Sequence, residues 1–257
     1  RRCSTTEPHP QKLISKIDLY LNIHERKIYV KDFKEAIINP FVVNKRIKAV
    51  IVSYKSVDRF SDLFENLGIE LIPSAKNILL DEPVDDHPDL QIHPLNFKTF
   101  VVDRNLYDYY KKHLEGYEVE LIKSGEGVKS PYPYDCILNL GRISKYYVHN
   151  GIIDSRLNKL LEEDFLDYIF VKQGYGKCSI LNIGYDTIIT QDMGIHKAVS
   201  KTGLRSYLLP PGHIDLPGYN TGFIGGCGGL IDEKTMVFSG DIKSYKYCDQ
   251  LTRILNK

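Results

Sequence analysis

The stretch KCSILNIGYDTIITQD, residues 177–192, holds an apolar run, a polar turn, a second run rich in β-branched residues, and a closing aspartate. This order predicts two antiparallel strands followed by a helix start, because Asp accepts hydrogen bonds from the orphan N–H groups of a first helical turn. Three other segments restart in the same way: HPDLQIHPLNFKTFVVD (87–103), YDCILNLGRISKYYVHN (134–150) and TGFIGGCGGLIDEKTMVFSGD (221–241). Each ends in Asp or Asn. The repetition decides the fold, since a recurring supersecondary unit buries its apolar face mainly against its neighbours.

Amphipathic spacing follows the paired strands: Leu106, Tyr109, Tyr110 and Leu114 in one unit, Leu157, Leu160 and Leu161 in the next, and Ile195, Ala198 and Val199 in a third. Gly116 and Gly203 stand where a left-handed cap ends a helix, and EVELI, DYIFV and SYLLP supply a third strand. Toward the N-terminus, AVIVS, a helix over 58–66, Gly68 and IELIP form a unit without its opening strand. The last unit, ending at Lys257, lacks its closing strand. Five ββαβ units result, over residues 47–257. Residues 1–46 are read as an N-terminal extension, in which KIDLYLNI and RKIYV would supply a strand or a cap. A period of about 45 residues with strands and a helix excludes both an all-β propeller and a helical solenoid. Such units are expected to close as a ring, with first strands lining a central channel, helices outside, and polar residues converging on an axial pocket.

Charge points to no macromolecular partner: 34 basic residues against 33 acidic ones give a formal charge of +1, so neither nucleic acid nor a membrane is expected. No apolar run reaches the roughly 20 residues of a membrane span, and RRCSTTEPHPQK lacks the apolar core of a secretory signal. The five cysteines, Cys3, Cys136, Cys178, Cys227 and Cys248, are odd in number and form no C-x-x-C pair. That pattern implies neither a disulfide framework nor a zinc ribbon, and reduced thiols in a cytoplasm are expected.

Chemistry-bearing residues concentrate in HIDLPGYNTGFIGGCGG, residues 213–229. A phosphate loop needs a helix directly after its glycines, whereas LIDEKTMVF follows here and reads as strand and turn. No H-E-x-x-H or paired cysteine supports a metal, so no cofactor is expected. Cys227 is read either as a reactive thiol or as a small inert residue buried between glycines. A thiol's ordinary pKa of about 8.5 requires activation by a cation or exposed amides, and the glycines around Cys227 leave backbone N–H groups and space for a ligand. His213 follows the rigid turn Pro210-Pro211-Gly212, and Asp215 either joins the site or ties down the turn. His87, Asp89 and His93 are read on one face of an inner strand, lining a cavity or a ring edge. Asn139 and Asn182 occupy the same place in LNLG and LNIG, as structural amides or substrate contacts. Tyr219 and Asn220 either close over a ligand or lie on a surface loop.

Five pseudo-repeated ββαβ units resemble the pentein fold, a five-bladed α/β propeller shared by the guanidine-modifying enzymes and by a non-catalytic ribosomal factor. HPDLQIHPL, LNIGYDTIITQD and GHIDLPGYNTGFIGGCGG are more closely similar to an uncharacterised bacterial domain family of that superfamily. The resemblance implies a Cys-dependent hydrolase or transferase acting on a guanidine or amidine group of a small cationic compound. Cys227 would then attack, His213 or His87 would carry the proton, and Asp89 and Asp215 would bind the cation. A non-catalytic binding protein with the same fold is the alternative.

Overall fold

The computed structural model describes residues 38–257. KIDLYLNI, RKIYV and Cys3 lie outside the described residues. The first unit holds β1 (Ala49–Val52), α1 (Val57–Asn66) and β2 (Glu70–Pro73), with β1 and β2 parallel. The second enters through a single helical turn, α2 (Pro88–Gln91), and continues as β3 (Ile92–Pro94), β4 (Thr99–Val102), α3 (Tyr107–His113) and β5 (Glu120–Lys123). In the third come β6 (Gly141–Ile143), β7 (Tyr146–His149), α4 (Ser155–Glu163) and β8 (Asp167–Phe170). The fourth has α5 (Gly176–Ser179), β9 (Ile180–Gly184), β10 (Thr187–Thr190), α6 (Met193–Ser200) and β11 (Arg205–Leu208). The fifth consists of a 3₁₀ turn (Ile224–Gly226), β12 (Gly228–Leu230), β13 (Met236–Phe238) and α7 (Cys248–Leu255).

Each of the middle three units forms a sheet in which the second strand pairs antiparallel with the first and parallel with the third. Among the described residues the first and last sheets have two strands each, β1 with β2 and β12 with β13. Caps follow the expected chemistry only in part. Asp192 accepts at 2.9 Å from Ile195 N–H as expected, but in the third unit Asn150 accepts from Ile152 N–H and it is Asp154 that caps α4, accepting from Leu157 N–H at 2.9 Å. Asp103 instead binds Asn105 N–H, Val128 N–H and the Asn77 amide, and α3 begins four residues later. Asp241 caps a short 3₁₀ turn ahead of α7. Gly68, Gly116 and Gly203 end their helices at φ of +66°, +93° and +82°.

Apolar burial runs between the units. Ile72 and Ala75 of the first pack with Ile92, Val102 and Tyr110 of the second. Leu90, Leu95 and Val101 meet Leu140, Leu157 and Leu161 of the third, whose Ile143 and Val148 meet Ile188, Ile195 and Val199 of the fourth. Leu181, Ile189 and Leu209 then pack on Ile224, Phe238 and Leu251 of the fifth. Ile231 and Val237 of the fifth unit return to Phe64, Ile69 and Val50 of the first. A backbone bond from Ile47 N–H to the Ile231 carbonyl, 2.9 Å, ties the same seam. Among the described residues no helix is long and apolar enough to cross a membrane.

The reading of residues 87–93 as one alternating strand is corrected by the structure. Strand geometry begins only at Ile92; Pro88 occupies the first position of α2, where its fixed φ suits a helix and its missing N–H costs nothing. His87, Asp89 and His93 therefore do not share a strand face.

Ile231 is 3% exposed and sits at the seam between last and first units. Ile231→Ala is expected to cost about 2–5 kcal/mol, as deep a loss as truncation inside any other seam. Urea denaturation of Ile231→Ala beside Ile195→Ala checks this.

Candidate functional site

Where the inner strands begin, four units place polar side chains against one another. Asp89 comes from α2, Asn139 from the turn before β6, Lys177 and Cys178 from α5, and Cys227 from the end of the 3₁₀ turn. Two glycines set the approach. A Cβ on Gly225 would fall 2.6 Å from the Lys177 carbonyl oxygen, and one on Gly176 would lie 2.7 Å from Gly141 N, so only glycine lets these backbones pack. The Gly225 position thus serves a neighbouring strand instead of a ligand, while Gly226 and Gly229 face open space.

Asn139 organises the centre. Its amide donates to the Asp89 carbonyl at 3.0 Å and to Cys178 Sγ at 3.2 Å, and its Oδ1 accepts from Cys178 N–H at 3.1 Å. The Cys178 thiol donates to Asp89 Oδ2 at 2.9 Å. Lys177 Nζ donates to the Gly225 carbonyl at 2.9 Å and stands 3.6 Å from Asp89 Oδ2. Beside it, Cys227 is half-buried and its S–H points to the Phe223 carbonyl at 3.3 Å. A cavity of about 220 Å³ reaches Lys177, Gly225, Asn182 and Gly228, with Phe41 on its wall.

The charges follow from these contacts. Burial works to raise the Asp89 pKa, but Lys177, His87 and the Cys178 thiol outweigh it and hold the carboxyl below its usual range. Burial, reinforced by the Asp89 charge, pushes Cys178 well above the ordinary thiol value. Burial raises Cys227 to about 11, with Lys177 pulling the other way. Both thiols are therefore protonated at neutral pH.

The other expected residues are placed differently. His213 is exposed in a left-handed conformation, φ +63°, with Nε2 3.1 Å from Lys246 Nζ and its ring edge-on to Tyr247. Asp215 is exposed as well. Neither hydrogen-bonds Cys227. The cause is the preceding turn, which Gln191 Nε2 pins by donating to the carbonyls of Pro210 (2.8 Å) and Gly212 (3.0 Å), leaving His213 on the outside. His87 is half-buried at the start of α2, next to Asp89. His93 is buried, with Nδ1 3.1 Å from the Leu138 carbonyl and Nε2 unpartnered. The Asn182 amide donates to the Arg142 carbonyl at 2.7 Å, away from the Asp89 cluster. Tyr219 and Asn220 are exposed. Lys177 and Cys178 were not singled out from the sequence. The repeat carries a partial signal for Cys178, since YDCILN and KCSILN hold cysteines one position apart ahead of β6 and β9, and none for Lys177.

The fold and site define an α/β repeat protein whose polar residues gather where successive units meet. Residues 51–257 match the model of DUF6873, a family of unknown function, and the chain belongs to that family. No protein with a curated description matches it. Among solved structures it is similar to SxtG, an amidinotransferase from Microseira wollei in the saxitoxin biosynthetic pathway. The identity is 10% and the TM-score 0.49, over 78% of this chain and 73% of that one. It is also similar to the N-terminal domain of ArgZ, an arginine dihydrolase from the ornithine-ammonia cycle in Cyanobacteria, at 15% identity and a TM-score of 0.40, over 66% and 68% of the two chains. Likenesses at this level leave activity to be argued from the side chains above.

Alkylation of Cys227 by iodoacetamide is expected to rise with pH toward about 11, and to slow in Lys177→Gln, which removes the cation that favours the thiolate. Peptide mapping should find Cys178 unlabelled in the folded protein. Acid supplies a second test. His93 is held down to about 3 and His149 to about 4, in each case chiefly by burial, against the ordinary 6.5. The unfolded chain takes up these protons first, so their contribution is complete above 6.5 and is lost as pH falls toward the folded values. Stability measured in urea should drop by about 1.4 kcal/mol per pH unit per histidine in that window, and His149→Gln should reduce the slope.

Proposed function

We propose that the five units close as a five-bladed α/β propeller of the pentein kind, and that its axial end binds a small guanidino or amidino cation on which Cys227 acts as a nucleophile. The observation that carries this reading is the meeting of Asp89, Lys177 and the Gly225–Cys227 turn, a carboxylate, a cation and a thiol from three distant segments. The seam between the last unit and the first supports the closed ring. The free thiols Cys136, Cys178, Cys227 and Cys248 suit a reducing compartment such as the cytoplasm.

A guanidinium is planar, delocalised and a poor electrophile, so it needs a carboxylate partner, a strong nucleophile and a proton donor for the departing amine. Asp89 is ionised and its nearest cation, Lys177, is 3.6 Å away, which leaves an oxygen able to accept from a guanidinium N–H. Lys177 favours loss of the Cys227 proton. His87 takes the Cys227 proton, the thiolate adds to the central carbon, ammonia or an amine leaves carrying that proton, and water or an acceptor amine then displaces the sulfur, giving up its own proton to His87. His87 takes the role expected of His213 because it adjoins Asp89, while His213 is engaged by Lys246. Binding without chemistry is the second reading, favoured by the Cys227 pKa of about 11 in the resting site.

Release of ammonia, citrulline or an amine from a panel of guanidino and amidino compounds tests the first reading. Turnover abolished in Cys227→Ala, with KM raised in Asp89→Asn, supports it. Ligand-induced thermal stabilisation without turnover, lost in Asp89→Asn, supports the second. Neither turnover nor stabilisation overturns both.

A further inference from the structure

Three aromatic rings stand in a row beside the axial cluster. The Tyr132 and Tyr175 ring centroids are 5.7 Å apart with planes tilted by 35°, and Tyr175 and Phe223 are 5.8 Å apart with a tilt of 33°. The row spans three units: the turn before β6, the residue before α5, and the residue before the 3₁₀ turn. Tyr132 is 47% exposed, and Tyr175 and Phe223 are half-buried, so the row is open to solvent.

A carboxylate lies against this row. Asp135 is only 4% exposed; its Oδ2 accepts from Tyr175 Oη, and its Oδ1 has no partner. Among the described residues no lysine or arginine pairs with Asp135, nor with Asp81, whose charge reaches Tyr219 together with that of Asp135. A buried carboxylate oxygen left without a donor is costly, and the cost falls when a cation arrives. Aromatic faces attract cations through the ring quadrupole, most effectively where the cation is weakly hydrated. A small hard ion would have to give up its water, whereas an alkylated ammonium or an amidinium would not.

We propose that the Tyr132–Tyr175–Phe223 row, with Asp135 behind Tyr175 and with Asp81 and Tyr219 at its edge, is a binding site for an organic cation of low charge density. The site stands apart from any chemistry at Cys227. The two are joined through Phe223, whose carbonyl accepts the Cys227 S–H and whose ring ends the row. A compound with a second cationic group would span from this site to Asp89.

The chain contains no tryptophan and 18 tyrosines, two of which stand in the row, so calorimetry measures the binding and a fluorescence change counts only where it is lost in Phe223→Leu. Calorimetric and fluorescence titration with tetramethylammonium and with methylguanidinium, against potassium chloride at equal ionic strength, measures the binding. The expected result is saturable binding of at least one organic cation, no response to potassium, and an affinity weakened about tenfold in Asp135→Asn and in Phe223→Leu. Asn keeps an acceptor for the Tyr175 hydroxyl, so the first variant removes mainly charge. Cys227→Ser and Asp89→Asn should bind tetramethylammonium, which is no guanidino compound, as the parent does, and this separates the site from the proposed reaction. Absence of binding by either cation, equal binding of potassium, or unchanged affinity in Asp135→Asn overturns the proposal. Should Asp135→Asn fail to fold, Phe223→Leu decides: affinity equal to that of the parent overturns it.

Discussion

A ββαβ unit of this size has an apolar helix face and an apolar sheet face but too little chain to enclose both. Its burial must therefore be completed by the next unit. Five seams do this, each combining strand residues of one unit with helix or strand residues of its neighbour, and the last returns to the first. Stability is consequently a property of neighbouring pairs. At the last of these seams Ile231 and Val237 of the fifth unit lie against Phe64 of α1 and against Val50 and Leu71 of its flanking strands.

The same packing draws the inner segments together until backbone meets backbone, and this places polar side chains where water is scarce. Most of them are satisfied locally. Asn139 serves Asp89 and Cys178 at once, and Thr190 Oγ1 donates to the Ser179 carbonyl. Arg142 is the exception in kind: it is 1% exposed, has no carboxylate within ion-pair distance among the described residues, and donates to the carbonyls of Leu95 and Ile38. Burial lowers its pKa to about 10, still far above neutrality, so a fixed positive charge lies in the interior. That charge, after burial itself, helps keep His93 neutral. The interior is thus graded, with a guanidinium and two neutral histidines in one region and the Asp89 carboxylate in another.

The repeat was legible in the sequence because its signals are local. Strand alternation, an Asp or Asn after the second strand and a glycine after the helix all depend on residues within one unit, and the incomplete terminal units could be read from the same pattern. The site was legible only by residue type. HIDLPGYN and GGCGG looked like one constellation because they adjoin in sequence, yet Gln191, some twenty residues upstream, fixes the turn ahead of His213 and leaves that side chain outside. Likewise, HPDLQIH alternates as a strand would, but Pro88 and the backbone bond from Leu90 N–H to the His87 carbonyl make a helical turn. Lys177 and Cys178 acquire meaning only from Gly225 and Asp89, which no local pattern connects to them. Contacts between units are set by the seams, and the seams are not written in any single segment.

The two thiols beside Lys177 stand in different electrostatic surroundings. Cys178 and Cys227 both flank Lys177, and burial raises both. Cys178 also faces the Asp89 carboxylate, which accepts its proton in a hydrogen bond; ionising it would set two negative charges side by side, so it is fixed as a donor. Cys227 meets only a neutral carbonyl, and the nearest charge is the favourable one of Lys177. A cation entering beside Asp89 would compete with Lys177 for the carboxylate, freeing the ammonium to turn further toward Cys227. Under the reaction proposed above, cation binding and thiol activation would then be one event, with Lys177 as the moving part and the Gly225 carbonyl as its pivot.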